Sequence, residues 1–398
     1  MTNEELVRKA VIATDALASQ GKLNTAQSDK FIDYVIDVTG LKNNARVVRF
    51  RNEDLNIDKI GVGKRVAMPA AEATAPTGRR GVSTSKINLK PSEIIVPFEI
   101  SDTFSEINLE GMAVEDHIVK MMATQLANDL ETLYIEGDKL GTAAIEGDIV
   151  DGGSSTQYVK DSYLALVDGW LKLARSAHVV DAQGANVGSS LFSQALNALP
   201  AKFKRNRADL RFITSLDLEQ NYREKVSTRA TIGGDQALNA QLNMTPFGAP
   251  LVPFPLFPFK PRIVEHVVLN STTPVALLHT PVVSGSEAVL ASTLAGTPTT
   301  KYVKDTDYTI DYALGTIARI GGGAISDGAT VKVTYQANPQ ILLTHAQNLI
   351  VAIGRDIRIE KDRDIFKRVN QYVITCKVDV QYEETDAIAL VRNIGTGV

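Results

Sequence analysis

Apolar residues along the chain switch between helical and strand spacing in a definite order. Thr2 and Glu5 stand at capping-box spacing ahead of Leu6, Ala10, Ala13 and Leu17, which predicts a helix, and a second helical run from about 25 to 38 follows Gly21. From Ala45 the period becomes two: ARVVRF, LNIDKIGVG and SKINLKPSEIIVPFEIS read as strands. Residues 64–82 between them are rich in Ala, Gly, Thr and Arg and too polar for a core, so the region predicts a long two-stranded finger with a polar tip. An isolated hairpin is marginal in water, and the finger therefore has to rest on another part of the fold.

The longest helical signal comes next. Val114, Ile118, Met122, Leu126, Leu130 and Leu133 recur at three- and four-residue spacing until Gly137, predicting a rod of more than roughly 30 Å that can act as a spine. Leu164, Val167, Trp170, Leu171 and Ala174 predict a further helix, SSLFSQALNALP another closed by Pro200, LRFITS a strand and DLEQNYREKV a helix. In residues 265–338 short alternating runs (VEHVVLN, PVALLHTPVV, DYTIDYALGTIARI, ATVKVTY) are punctuated by Gly, Ser, Thr and Pro, which predicts a small β-sandwich. Mixed texture returns in ILLTHAQNLIVAIGRDIRIE. The β module is therefore inserted into an α+β body, and no strict strand–helix alternation of the doubly wound kind is present.

Composition narrows the function classes. With 398 residues, 44% of them apolar, the chain can bury a sizeable core. Lys+Arg 42 against Asp+Glu 46 leaves a formal charge of -4, so no global positive field draws it to nucleic acid or an anionic membrane. The single cysteine, Cys376, excludes an internal disulfide framework and points to a reducing compartment, by default the cytoplasm. Glu4 and Glu5 sit where a secretory signal carries positive charge, and the most apolar patch, 251–259, is broken by Pro253, Pro255 and Pro258, so neither export nor a membrane span is expected.

Converging chemistry is hard to find. His117, His178, His266, His279 and His345 are scattered without metal-ligand spacing, and GVGKR lacks the glycine and hydroxyl residue of a phosphate loop. DGGSS and IGGGAISDG read as turns, no Gly-x-Ser-x-Gly elbow is present, and Cys376 alternates with Ile374 and Val378 as a buried filler. Glu383, Glu384 and Asp386 read as an exposed strand end before they read as an acid–base pair. The basic run Lys202, Lys204, Arg205, Arg207 and Arg211, with Phe203 and Phe212 interleaved, fits a solvated helix end, an RNA-stacking surface, or an ion-pair surface facing the opposite charges of 360–368. No cofactor, metal or catalytic residue is expected, and the chain reads as no enzyme.

The stretch LPAKFKRNRADLRFITSLDLEQNYREKVSTRATIGGDQALNAQLNMTPFGAPLVPFPLFP combines a helix ending at Pro, an Arg-rich turn, a strand ending in Ser, an arginine-containing helix, a Gly-Asp loop and a Gly-x-Pro strand with a proline-rich exit. Together with the closing PQILLTHAQNLIVAIGRDIRIEKDRDIFKRVNQYVITCKVDVQYEETDAIALVRNI, this order resembles the major capsid protein of tailed bacteriophages, whose fold is shared with herpesvirus capsids and encapsulins. The resemblance covers roughly 45–260 and 339–394 and implies an N-terminal arm (1–44), an extended β finger (45–100), a peripheral domain with the spine helix (101–157 and 358–398) and an axial domain (158–264 and 339–357). The inserted immunoglobulin-like domain (265–338) is absent from the minimal fold. No long scaffolding segment precedes the arm, which favours a separate scaffolding protein.

The resemblance implies a virion shell, assembled in the host bacterial cytoplasm from hexamers and pentamers, with a scaffolding protein, a portal and a decoration protein as partners and packaged double-stranded DNA held by weak non-specific contact. Assembly contacts are then expected at Arg79 and Arg80 in the finger tip, at Arg205 and Arg207, and at Arg355, Arg358, Glu360, Asp362, Arg363 and Arg368, with the alternating strand from Tyr372 to Val380 packed under the spine. Two other readings stand beside it: an encapsulin-like cellular compartment, and a carbohydrate-binding tail or adhesion protein motivated by DYTIDYALGTIARI.

Overall fold

The computed structural model describes residues 11–12, 45–50, 55–61, 83–107, 113–139, 163–228, 243–291 and 301–397. Val11–Ile12 (β1), Arg46–Arg49 (β2), Leu55–Gly61 (β3), Ser83–Leu89 (β4) and Ser92–Ser101 (β5) precede helices Asp102–Ile107 (α1) and Ala113–Glu136 (α2). Trp170–Ala174 (α3), His178–Asp181 (β6), Ser189–Ala198 (α4), Leu210–Thr214 (β7), Leu216–Ser227 (α5) and Leu251–Pro253 (β8) follow. The module comprises Arg262–Leu269 (β9), Val275–Ala276 (β10), Ala288–Ala291 (β11), Tyr308–Asp311 (β12), Thr316–Arg319 (β13) and Ala329–Gln336 (β14). Ile341–His345 (β15), Leu349–Asp364 (β16), Val369–Tyr382 (β17) and Ala389–Arg392 (β18) close the chain.

The body is organised by α2, the predicted spine, whose 24 residues span about 36 Å. Its apolar stripe, Ile118, Leu126, Leu130 and Leu133, shares one buried cluster with Ile94, Phe98 and Ile100 of β5 and with alternate residues of β17 from Tyr372 to Val380. Period two on the strand and period 3.6 on the helix thus meet along one seam. Phe98 stacks on Tyr372 at 5.1 Å, and Cys376 is buried in the seam as the strand pattern predicts. The sheet carrying this seam runs β1-β5-β17-β16-β2.

At the C-terminal end of α2 the chain turns against α3. Gly169 N–H donates to the Gly137 carbonyl at 2.7 Å, and a Cβ on Gly169 would stand 2.6 Å from Gly137 N. Trp170 and Tyr382 then lock α3 to β17 through the bond from Tyr382 Oη to the Trp170 carbonyl, 2.9 Å.

A second five-stranded sheet of shorter strands runs β6-β18-β15-β7-β8. One face, with Ile213, Leu342 and Leu390, joins the spine cluster; the other, with Phe212, Leu343 and Val391, packs on α4 and α5. Phe192 of α4 meets both Phe212 and Tyr222 edge-on at 4.8 and 4.9 Å. The β module is two three-stranded sheets, β11-β14-β9 and β10-β13-β12, around Val267, Val331, Val333, Tyr308 and Ile317. Among the described residues this is a small sandwich with fewer strands than the seven of an immunoglobulin constant domain.

Some expected elements differ. Val11–Ile12, inside the expected first helix, forms a strand parallel to Glu99–Ile100, because a sheet edge offers its unpaired backbone groups to any extended segment; the rest of the arm lies outside the described residues. The helix expected from 164 is confined to α3, and β6 was not predicted. The sheets also cut across the sequence segments: β16 runs unbroken through 357/358, and β18 leaves the peripheral segment to pair with β15 in the shorter sheet. Alternation alone does not say which neighbour a strand chooses.

Replacing Gly169 by Ala forces a Cβ against backbone atoms that have no rotamer to yield. We expect a loss of about 1–3 kcal/mol in chemical denaturation, the usual cost of overpacking.

Candidate assembly surfaces

The finger rests on the body as its marginal stability requires. Leu55 and Ile57 of β3 and Ile87 and Leu89 of β4 pack on Val48, Phe50, Ile350 and Ala352. Ion pairs fasten its root: Lys59 Nζ donates to Glu384 Oε2 at 2.9 Å and to the Glu383 carbonyl, and Arg46 Nη1 lies 3.1 Å from Glu383 Oε2. Asn348 holds the turn that presents both glutamates, its amide donating to the Glu384 carbonyl and accepting from Glu384 N–H. Glu383 and Glu384 are therefore ties between finger and body, a role their place at a strand end did not reveal. Arg79 and Arg80 lie outside the described residues.

The second projecting element is the hairpin of β16 and β17. Parallel pairing with β2 covers β16 only from Ile350 to Ile353; beyond two register shifts, Arg358–Asp364 pairs with Val369–Thr375. This outer part is latched to the spine. Glu115 accepts from Lys361 Nζ at 2.8 Å, Asn370 Nδ2 at 2.6 Å and Tyr372 Oη at 2.7 Å. Burial pushes the Glu115 carboxyl up, and the bonds from Lys361, Tyr372 and Asn370 outweigh it, so its pKa falls below the ordinary value while that of Lys361 rises to about 12. At the tip, Asp364 Oδ1 accepts from the N–H of Phe366 and Lys367, and the Arg368 carbonyl accepts from Asp102 N–H. Arg368 itself is left-handed, φ 56°. This ordered tip holds Ile365 77% and Phe366 100% exposed.

The charged residues singled out in the sequence are spread over this frame. Arg355 pairs with Glu93 at 2.7 Å, Arg363 with Asp102 at 2.8 Å, and Arg358 with Glu360 at 3.6 Å, all within the chain, while Asp362 accepts from Arg363 N–H. Arg205 is exposed, and Arg207 donates to the Phe247 carbonyl at 3.3 Å, on loops beside the shorter sheet. The RNA-stacking reading loses an aromatic, since Phe212 is fully buried. Ile365 and Phe366 went unread, although two large apolar residues inside KDRDIFKR, where alternation breaks, are the signal. Among the described residues no cluster of three or more His, Cys, Asp or Glu is placed to hold a metal.

No family model matches the chain. A Bacillus subtilis (strain 168) protein named as a prophage capsid protein, YqbE, is 28% identical over 396 residues, 99% of each chain. The capsid of a native GTA particle shares the fold with a TM-score of 0.53 at 13% identity, covering 96% of this chain and 99% of that one; the empty GTA particle gives 0.50 at 13%, covering 91% and 99%. The chain is similar to a prophage capsid protein along its whole length. Finger, spine helix and paired sheets are the fold of these capsid chains.

The latch makes a test. Glu115→Gln should speed backbone hydrogen exchange over 358–375 while the short-strand sheet keeps its protection. The wild type should show the same loosening as pH falls below the ordinary carboxyl range, because the stability contributed by a carboxylate with a lowered pKa is full above its unfolded value and is lost as pH falls through the folded one.

Proposed function

We propose that this chain is a capsid protein whose copies close into an icosahedral shell of hexamers and pentamers around double-stranded DNA, with the finger and the hairpin tip as the elements that reach neighbouring copies. The observation that carries this is Phe366, wholly exposed on a tip that the Asp364 cap and the Glu115 latch hold in order. Burying such a side chain in a contact contributes roughly 1.5–3 kcal/mol, whereas an exposed ion pair contributes about 0–1. The charges of the hairpin then set register and exclude wrong pairings, and the tip supplies affinity.

The remaining roles follow from charge and topology. A net charge of -4 fits a wall that confines DNA without binding it tightly, so DNA contact is weak and non-specific. Asymmetric projections suit heterologous contacts, which close rings of either five or six. The capsid resemblance, rather than charge or topology, adds a scaffolding protein, a portal and a decoration protein to the proposed partners. Arg79, Arg80, Arg205, Arg207, Arg355, Arg358, Glu360, Asp362, Arg363 and Arg368 line the contacts between copies, and the role is structural, with no catalysis.

Expression of the chain alone and with its neighbouring genes, followed by negative-stain electron microscopy, tests the shell: closed shells, tubes or rings are expected, and a monodisperse monomer under every condition contradicts it. Phe366→Asp should abolish shells with the melting temperature of the unassembled protein unchanged. Reversal of Arg79 and Arg80 to Glu should reduce shell yield in the same assay.

A further inference from the structure

The β module hangs from the body by two neighbouring strands, β9 and β14, whose ends Arg262 and Gln336 are register partners. A tether of this kind leaves an inserted domain free to swing unless a further contact holds it. The structure contains such a contact. The module loop around 277–283 reaches the end of β18, where fully buried His279 places Nδ1 3.3 Å from Asn393 Oδ1. Asn393 Nδ2 donates to both carboxylate oxygens of Asp181 at 3.0 Å, and Arg392 Nε lies 3.3 Å from Asp181 Oδ2. A carboxylate only accepts, so the Asn393 amide must turn its nitrogen to Asp181 and its oxygen to the module; His279 consequently carries its proton on Nδ1.

A second branch of the joint runs to the spine. His279 N–H donates to Tyr335 Oη at 3.1 Å, Tyr335 Oη donates to Glu265 Oε1 at 2.7 Å, and Leu278 N–H donates to the same oxygen at 3.0 Å. Arg175, the residue that ends α3, lies 3.7 Å from Asp138 Oδ2 just beyond α2. Burial lowers the pKa of its guanidinium, with Asp138, Tyr335 and Glu265 acting against that. One largely buried cation, Arg175, thus stands between the end of the spine and the module. The hydrogen bonds of such a network form in a single relative placement of the parts that supply them, which makes the joint specific in angle as well as in contact.

We propose that the β module is a brace of the capsid body, docked through this joint at one fixed angle, so that module, spine-helix end and short-strand sheet open as one cooperative unit. The module is then no detachable accessory, and every copy in a shell presents it in the same orientation.

Native-state hydrogen exchange of the full chain against denaturant reads this directly. The slowest amides of β9 and β14 are expected to merge with those of β15 and β18 on one isotherm; module amides that open at lower denaturant while β15 and β18 stay protected would overturn the brace. His279→Leu should accelerate exchange about tenfold at the Ala182, Gly184 and Gly395 amides as well as in the module, and a change confined to 262–337 contradicts it. The wild-type isotherms decide the matter even where the variant does not fold.

The pH profile gives a further readout. Burial brings the His279 pKa from 6.5 down to about 3, with Arg175 and Arg392 adding to the shift and Asn393 and Asp181 opposing it. The unfolded chain takes up this proton below about 6.5 and the native chain does not, so stability falls as pH drops from there towards 3. Between pH 6 and 5 the folding constant of the wild type should fall about tenfold more per pH unit than that of His279→Leu. Equal slopes in the two proteins would remove His279 from the joint.

Discussion

The seam between the spine helix and the inner face of β5 and β17 is the contact on which the rest of the molecule depends. It joins a helix about 36 Å long to strands of ten and fourteen residues, and the shorter sheet adds Ile213, Leu342 and Leu390 to the same buried cluster. Because the core is continuous from one sheet to the other, both projections start from a rigid base. A finger or hairpin attached to a loosely packed body would lose its reach to fluctuation; attached here, each carries its direction outward.

Polar contacts then do what apolar packing cannot, which is to choose one arrangement among several of similar area. Lys59 and Arg46 on Glu383 and Glu384 fix the root of the finger, Glu115 fixes the outer hairpin, and the group around Arg175, His279 and Asn393 fixes the module. Each of these sites joins segments far apart in sequence, with separations above 200 residues for the first two. Exposed ion pairs of this kind add little to stability by themselves. In the proposed shell their value lies in repetition, since an angle set once in the subunit is set in every copy.

The division of labour explains why candidate chemistry in the sequence dissolves on inspection. The Glu383–Glu384 pair that resembles an acid–base couple is spoken for by the finger, Cys376 is filler in the seam, and Phe212 is interior to the shorter sheet. Among the described residues the most exposed large apolar side chain is Phe366, on an ordered hairpin tip. An apolar side chain held out in this way is suited to insertion between other surfaces.

Much of this was legible in one dimension. The spine was readable because helical periodicity over many residues has no competing explanation, and the finger, the strand from Tyr372 to Val380 and the insertion were readable because period two and turn residues are local properties. The order of these segments was enough to place the chain beside phage capsid proteins. Tertiary structure decided the rest: that Val11–Ile12 joins a sheet edge in place of a helix, that β18 pairs with β15, that two glutamates hold the finger, and that a histidine in the module meets an asparagine 114 residues away. Local sequence determines what each segment buries, because side-chain spacing is set by the backbone repeat. Which segments meet is set by the packing of the whole chain, where backbone pairing and buried polar groups find partners that spacing alone does not encode.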